Sequence, residues 1–131
     1  MKKTGLLNRD LSEVVASLGH RDMLVIADAG LPIPAGVRRI DLAVSPGLPP
    51  FLAVLQAVLS ELKVEEAIVA QEMGERSPQV LKALRDALGD VPIRTMPHSE
   101  FKAQTAQARA VVRTGEFTPY ANVILIAGVV F

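Results

Sequence analysis

Cysteine is absent from the 131 residues, and so is any net charge. Without cysteine the chain can form no disulfide, no thiolate metal site and no cysteine nucleophile, and it suits a reducing compartment. Fourteen basic residues balance 14 acidic ones, and the basic residues are scattered, so bulk charge would not attract a phosphate backbone. We therefore expect no nucleic acid among the partners.

Long apolar runs are also lacking. The charged first ten residues are not followed by the apolar stretch that a secretory signal requires. The longest apolar run, Val123–Phe131, is shorter than the about 20 residues that cross a bilayer. These features predict a cytoplasmic protein without a membrane partner. Half of the residues are nevertheless hydrophobic, which is high for a small monomer and predicts burial of surface against further copies of the chain.

Several common active-site signatures are missing as well. The chain has no Gly-rich phosphate loop of the dinucleotide or P-loop kind. It has no His-x-x-x-His pair or acidic cluster that would predict a metal site, and no nucleophile elbow. The chemistry that remains open is proton transfer without a cofactor or a metal.

Short apolar segments alternate with helical patterns along the chain. The predicted strands are Met23–Ala27, Ile40–Val44, Ala67–Ala70, Val91–Met96 and Val123–Phe131. The predicted helices are Leu11–Leu18 with Asp10 as its cap, residues 51 to about 63, residues 77 to about 89, and residues 97 to about 113. This alternation predicts an α/β fold, with one layered domain over residues 1–131 whose largely parallel sheet is flanked by helices.

Polar residues follow the predicted strands where small ligands bind in such folds. Asp28 comes directly after the first apolar strand, Gln71 and Glu72 follow another, and His98 follows a fourth. Ligands in open α/β sheets usually lie beyond the carboxyl ends of the strands. We therefore expect a small-molecule site at this edge.

The two histidines are candidates for moving a proton, because an ordinary imidazole pKa of about 6.5 suits reversible transfer near neutrality. His20 follows Gly19 at a helix end, where it could instead cap the last carbonyls. His98 lies at a helix start, where it could be a solvated loop residue. Asp28 could accept hydrogen bonds from a ligand or orient a histidine, or it could simply close an Asx turn.

Three more residues have side chains that suit a polyol. Lys102 lies four residues after His98 and therefore on the same helical face, although a solvated lysine is the simpler interpretation. Tyr120 and Asn122 precede the last strand and offer a hydroxyl and an amide to sugar hydroxyls, unless they only form a turn.

Four segments resemble the D-ribose pyranase family, a branch of the group that also contains L-fucose mutarotase. The segments are Gly19–Asp22, Val25–Pro34, Pro97–Lys102 and Arg113–Ile124. The resemblance extends from the first residues to the last strand. Where the fucose branch usually has Asp-Ala-Asn-Phe-Pro, this chain has Asp-Ala-Gly-Leu-Pro at residues 28–32, which favours the ribose branch.

The resemblance implies an isomerase that interconverts ring forms of D-ribose, with His20 as the proton donor. It implies contacts to the sugar from Asp28, His98, Tyr120 and Asn122, with Lys102 as a weaker addition. It also implies a homodecameric ring with sites between neighbouring subunits. Two alternatives stay open: a mutarotase acting on fucose or a related sugar, and a sugar-binding regulatory module that moves no proton.

Overall fold

A computed structural model describes residues 1–131 and contains one six-stranded sheet with five α-helices. The strands are β1 (Met23–Ala27), β2 (Arg38–Asp41), β3 (Val64–Ala70), β4 (Ile93–Met96), β5 (Ala110–Arg113) and β6 (Val123–Ala127). The helices are α1 (Arg9–Ser17), α2 (Phe51–Leu59), α3 (Gln71–Arg76), α4 (Pro78–Leu88) and α5 (His98–Gln104), followed by a 3₁₀ turn at Thr105–Gln107. None of these helices has the length and apolar character needed to cross a membrane.

The strand order is β2-β5-β1-β6-β3-β4. The pairs β2–β5, β5–β1 and β3–β4 are parallel, whereas β6 lies antiparallel to both β1 and β3. Five strands therefore run in one direction and β6 runs in the other. The predicted α/β domain with a largely parallel sheet is confirmed, with β6 as the one reversed strand.

Alternating side chains of the sheet contribute to cores on its two faces, as the period of a strand requires. On β1, Leu24 and Ile26 belong to the larger core, which is shared with α1, α2 and α4. Val25 and Ala27 face the other way and pack in a smaller core with Phe101 of α5. The central strands are buried on both faces, which explains their continuous apolar sequences.

The predicted helix from residue 97 to about 113 is wrong in its second half. Helix α5 ends at Gln104, and Ala110–Arg113 forms strand β5 between β2 and β1. Ala110, Val111 and Val112 are fully buried there. Their tertiary environment overrides the helical spacing, since a strand inserted between two others buries both of its faces.

Other element ends differ by a few residues. The side chain of Asn8, not Asp10, caps α1 by accepting a hydrogen bond from the Leu11 N–H at 2.9 Å. Strand β2 lies slightly earlier than predicted, and β6 ends at Ala127 and leaves Phe131 exposed.

The loop after β5 fastens the end of β1 to the start of α2. The buried Thr114 hydroxyl donates to the Ala27 carbonyl at 2.7 Å. Gly115 passes so close to Leu48 that any side chain there would clash with the Leu48 backbone. The Glu116 carboxylate then accepts hydrogen bonds from the Phe51 N–H at 3.0 Å and from the Thr118 hydroxyl at 2.8 Å. This carboxylate also lies at the N-terminus of α2, where the helix dipole favours negative charge.

Burial acts to raise the pKa of Glu116, but the hydrogen bonds from Thr118 and Phe51 outweigh it and the net pKa is lowered. A group with a lower pKa in the folded chain stabilises the fold above its unfolded pKa, and this stabilisation is lost as the pH falls through the folded value.

We predict that Glu116→Gln lowers the free energy of unfolding by about 1 kcal/mol at neutral pH, because the charge-assisted hydrogen bonds are weakened. The difference from wild type should shrink as the pH falls below about 4, where the wild-type carboxylate also becomes protonated. Urea unfolding at fixed protein concentration measures this, with the exposed Glu75→Gln as the control variant. A difference that does not change with pH would contradict the assignment.

Candidate active site

Asp28 and Asn122 are paired at the edge where β1 ends and β6 begins. Ile26 lies opposite Val123 in the antiparallel pair, so the residues just beyond them meet. The Asn122 amide donates to Asp28 Oδ2 at 3.0 Å, and its oxygen accepts from the Asp28 N–H at 2.8 Å. Asn122 is buried, and its two hydrogen bonds fix the orientation of the Asp28 carboxylate.

The second carboxylate oxygen of Asp28 closes a turn. Asp28 Oδ1 accepts from the Gly30 N–H at 2.9 Å, which is the Asx turn considered from the sequence. The turn and a ligand-facing role are compatible, because each carboxylate oxygen can accept more than one hydrogen bond and Asp28 also lines a cavity.

The His98 ring is held between two aromatic side chains. It stacks on Phe101 with ring centroids 6.2 Å apart and lies perpendicular to the Tyr120 ring, with centroids 5.0 Å apart. The Glu72 carboxylate accepts from the His98 backbone N–H at 3.1 Å and 3.2 Å, which anchors the start of α5. His98 Nδ1 is buried without a hydrogen-bond partner, so the ring is positioned by packing and not by a polar contact.

Tyr120 reaches this site from a constrained backbone. Its φ of 62° lies in the left-handed region, which non-glycine residues seldom adopt. The Ser77 hydroxyl, at the junction of α3 and α4, donates to the carbonyl of the preceding Pro119. That hydrogen bond ties the Tyr120 loop to the end of α3.

These side chains surround a cavity of about 340 Å³. Its lining residues are Asp28, Gly30, Leu31, Pro32, Arg76, His98, Lys102, Pro119 and Tyr120. A neighbouring cavity of about 400 Å³ shares Asp28, Gly30 and Pro119 and extends towards Arg113 and Phe117. The first cavity offers a carboxylate acceptor and two cationic donors, which suits a small ligand with several hydroxyl groups.

Arg76 is the charged lining residue that sequence reasoning missed. It is the last residue of α3, a short helix that the sequence patterns did not predict. Its place near the cavity could be inferred only indirectly. Gln71 and Glu72 mark the carboxyl end of a strand, and a short helix that begins there stays near the strand ends where ligands bind.

His20 lies apart from the other predicted residues. It precedes β1, whereas Asp28 follows it, and a five-residue strand spans about 16 Å. His20 is half-exposed, and its Nε2 lies 3.0 Å from Glu65 Oε2. The structure therefore brings Asp28, His98, Lys102 and Tyr120 around one cavity, with Asn122 behind Asp28, but places His20 at the opposite edge of the same subunit.

Comparisons with known proteins agree with this architecture. The sequence profile of the RbsD / FucU transport protein family matches residues 1–130. A D-ribose pyranase of Symbiobacterium thermophilum is 61% identical over the whole of both chains. The structure of Bacillus subtilis RbsD complexed with D-ribose covers both chains fully at a TM-score of 0.97 and 49% identity. The fucose mutarotase of Streptococcus pneumoniae, in complex with L-fucose, has a TM-score of 0.79 and 25% identity over 95% of each chain.

With D-ribose, the ligand of the Bacillus subtilis structure, as the probe, we predict that Asp28→Asn raises the Kd by about ten- to a hundredfold, the loss expected for a hydrogen bond to a charged group. The fold should lose only about 1 kcal/mol. An amide has one acceptor oxygen, so it can keep either the Gly30 contact or the Asn122 contact, but not both.

Calorimetric titration with D-ribose and thermal unfolding measure the two effects. Asp41→Asn is a matched control, because Asp41 also closes a turn after a strand, accepting from the Ala43 N–H at 3.0 Å, and lies outside the cavity. Unchanged affinity in Asp28→Asn, or equal losses in both variants, would remove Asp28 from the site.

Proposed function

Because this chain belongs to the RbsD / FucU transport protein family, we propose that it is a D-ribose pyranase, an isomerase that interconverts the β-pyranose and β-furanose forms of D-ribose. The observation that carries the proposal is its close match, over the full length of both chains, to Bacillus subtilis RbsD, which was solved with D-ribose. The relative named D-ribose pyranase supplies the reaction.

The reaction requires only proton transfers. The anomeric hydroxyl of the pyranose loses a proton and the ring oxygen gains one as the bond between the ring oxygen and the anomeric carbon breaks. The open aldehyde then recloses when a different hydroxyl attacks it, and the proton transfers run in reverse. The sugar is neither oxidised nor reduced, so this chemistry needs no cofactor. The protein must hold an acid and a base near opposite ends of the breaking bond.

The cavity provides groups that suit the binding part of this task. In the proposal, Asp28 accepts hydrogen bonds from sugar hydroxyls, and Lys102 and Arg76 donate them. Tyr120 offers a hydroxyl from the cavity wall. His98, or a water near Tyr120, exchanges the proton at the anomeric end. Asn122 acts mainly by orienting Asp28, as its hydrogen bonds and burial support.

The proton donor at the ring oxygen is His20 of a neighbouring subunit. Within one subunit, His20 and the cavity lie at opposite ends of the strands. This separation supports a proton donor that comes from a neighbouring subunit. In a ring, the strand ends beside His20 in one subunit would face the cavity of the next subunit. Such head-to-tail contacts generate a closed ring when the rotation between neighbouring subunits closes on itself.

Exposed apolar surface supports self-association. Val44, Leu48 and Phe117 are exposed around the site edge of the sheet. A groove of about 470 Å³ between α1, α2 and the loop after β2 is lined almost entirely by hydrophobic side chains. Surface of this kind is usually covered in a stable protein. The decameric ring and the cytoplasmic location remain predictions of this proposal.

Mutarotation of fucose is the second candidate, favoured only by the more distant match to a fucose mutarotase. A sugar-binding module would use the same cavity without exchanging ring forms. Saturation-transfer NMR separates the three: exchange between pyranose and furanose signals of D-ribose supports the proposed activity, exchange between L-fucose anomers supports the second candidate, and binding without exchange supports the module.

We predict that His20→Gln lowers the ring-exchange rate of D-ribose by about a hundredfold, within the range that one general acid–base group contributes. The glutamine keeps hydrogen-bonding capacity but cannot move a proton. Saturation-transfer NMR measures the rate, and light scattering checks that the variant has the wild-type assembled mass. A correctly assembled variant with the wild-type exchange rate would contradict the role of His20.

A further inference from the structure

Strand β3 contains a β-bulge at Glu65, the residue whose side chain contacts His20. Strand β3 pairs with β6 so that Val64 lies opposite Ala127 and Glu66 opposite Ile126, which leaves Glu65 as an extra residue in the ladder. A bulge breaks the alternation of a strand and redirects a side chain, and bulges are common beside active sites. The neighbouring carboxylates of Glu65 and Glu66 consequently contact the same arginine.

The backbone around the bulge is adapted to the Glu65 side chain. A β-carbon at Gly128 would lie 3.0 Å from the Glu65 β-carbon and 3.4 Å from its Oε2, so glycine leaves the space that this side chain occupies. Arg21 has a φ of 71°, a left-handed conformation that is costly for a side chain of this size. Its N–H donates to the Ala127 carbonyl at 2.9 Å.

The two oxygens of Glu65 have different partners. Arg21 Nη1 donates to Oε1 at 2.8 Å, and His20 Nε2 lies 3.0 Å from Oε2. The Arg21 hydrogen bond is the largest influence on the pKa of Glu65 and lowers it, so the group is a carboxylate near neutrality. A carboxylate can only accept. His20 Nε2 must therefore carry the proton in this contact, and in the neutral ring Nδ1 is the basic nitrogen.

We propose that Glu65 is a positioning residue that fixes the orientation and tautomer of His20, so that Nδ1 is the nitrogen that exchanges a proton with the sugar. The catalytic part of this inference rests on the proposed function. The His20 imidazolium donates its Nδ1 proton to the ring oxygen as the ring opens, and the neutral ring takes a proton back at Nδ1 on reclosure. Nε2–H remains bonded to Glu65 throughout, as in other carboxylate–histidine pairs.

Because Arg21 contacts the side chain at position 65, substitution by glutamine and by alanine should affect the His20 tautomer differently. In Glu65→Gln, the donor-only guanidinium holds the amide oxygen, and the amide NH₂ is left to face His20 Nε2. His20 must then accept at Nε2 and carry its proton on Nδ1, the reverse of the wild-type tautomer. In Glu65→Ala the ring loses its partner and is free to adopt either tautomer. The conservative variant is therefore expected to be the more damaging one.

The tautomer is read from ¹⁵N chemical shifts of the neutral imidazole, with His20 assigned by comparison with His20→Gln; His98 is the only other histidine. We expect the Nε2–H form in wild type and a shift to the Nδ1–H form in Glu65→Gln. Glu66→Gln is the matched control, since Glu66 contacts Arg21 and Arg94 but not His20, and it should keep the wild-type tautomer. An unchanged tautomer in Glu65→Gln overturns the inference.

Exchange rates at saturating D-ribose give the second readout. Glu65→Gln should lose at least about tenfold, less than the about 10⁴-fold effect of a wrong tautomer in a buried hydrolase triad, because this pair is half-exposed. The Kd for D-ribose should be unchanged, and Glu65→Ala should lose less than Glu65→Gln. A rate in Glu65→Gln equal to wild type or above that of Glu65→Ala overturns the inference.

A double variant separates this inference from the proposed function. In a His20→Gln background, adding Glu65→Gln should cause no further loss of rate, because the two residues act as one unit. A further loss would show that Glu65 acts by another route and overturns its positioning role. If His20→Gln alone keeps the wild-type rate, the proposed catalytic role of His20 fails, and the ¹⁵N tautomer still decides whether Glu65 controls the ring.

Discussion

Strand β6 runs antiparallel between β1 and β3, and this reversal determines which polar residues meet at each end of the strands. Its first end brings Asn122 against Asp28 at the cavity. Its last end brings Ala127 and Gly128 against Arg21 and Glu65. If β6 ran parallel to its neighbours, Asn122, which precedes it, would lie at the opposite end of the strands from Asp28. Because β6 is reversed and fully buried, it positions Asp28 and Asn122 at one end of the strands and His20 with Glu65 at the other.

In the proposed mechanism, this arrangement makes one subunit an incomplete site. The ligand-facing groups and His20 are held rigidly by the two ends of the same strands, so no loop movement within the chain could bring them together. The proposed solution is a second copy of the chain, which presents the opposite strand ends. The exposed apolar side chains and the small size of the domain are consistent with this, since repeated contacts between copies would bury the surface that a monomer leaves in water.

The sequence was most informative about buried strands and the residues directly after them. The boundaries of β1 are those predicted, because Met23–Ala27 is apolar without interruption and Asp28 ends it. Strand β5 was missed because Ala110–Arg113 is short and continues the helical spacing of α5; only its place between two strands makes it extended. The separation of His20 from Asp28 was available in principle, because residues before and after one strand lie at opposite edges of a sheet.

Two site features had no direct signal in the sequence. Arg76 reaches the cavity through the short helix α3, whose packing depends on tertiary contacts. Glu65 reaches His20 because of a bulge, and a bulge depends on the register between β3 and β6, which local composition does not specify. Tertiary contacts determine the positions of Arg76 and Glu65, whereas the pattern of apolar and polar residues along the chain is enough to predict the residues that follow the strands.

The central claim is that two subunits share each active site, and subunit mixing tests it most directly. At a D-ribose concentration well below the wild-type Kd, His20→Gln subunits assembled alone should exchange ring forms slowly because they lack the proton donor, and Asp28→Asn subunits because they bind little sugar. After unfolding and refolding together in equal amounts, a site with both wild-type groups forms wherever a subunit with intact His20 meets one with intact Asp28. Random assembly predicts about a quarter of the wild-type rate. No recovery in oligomers that contain both variants by mass spectrometry would contradict the shared site.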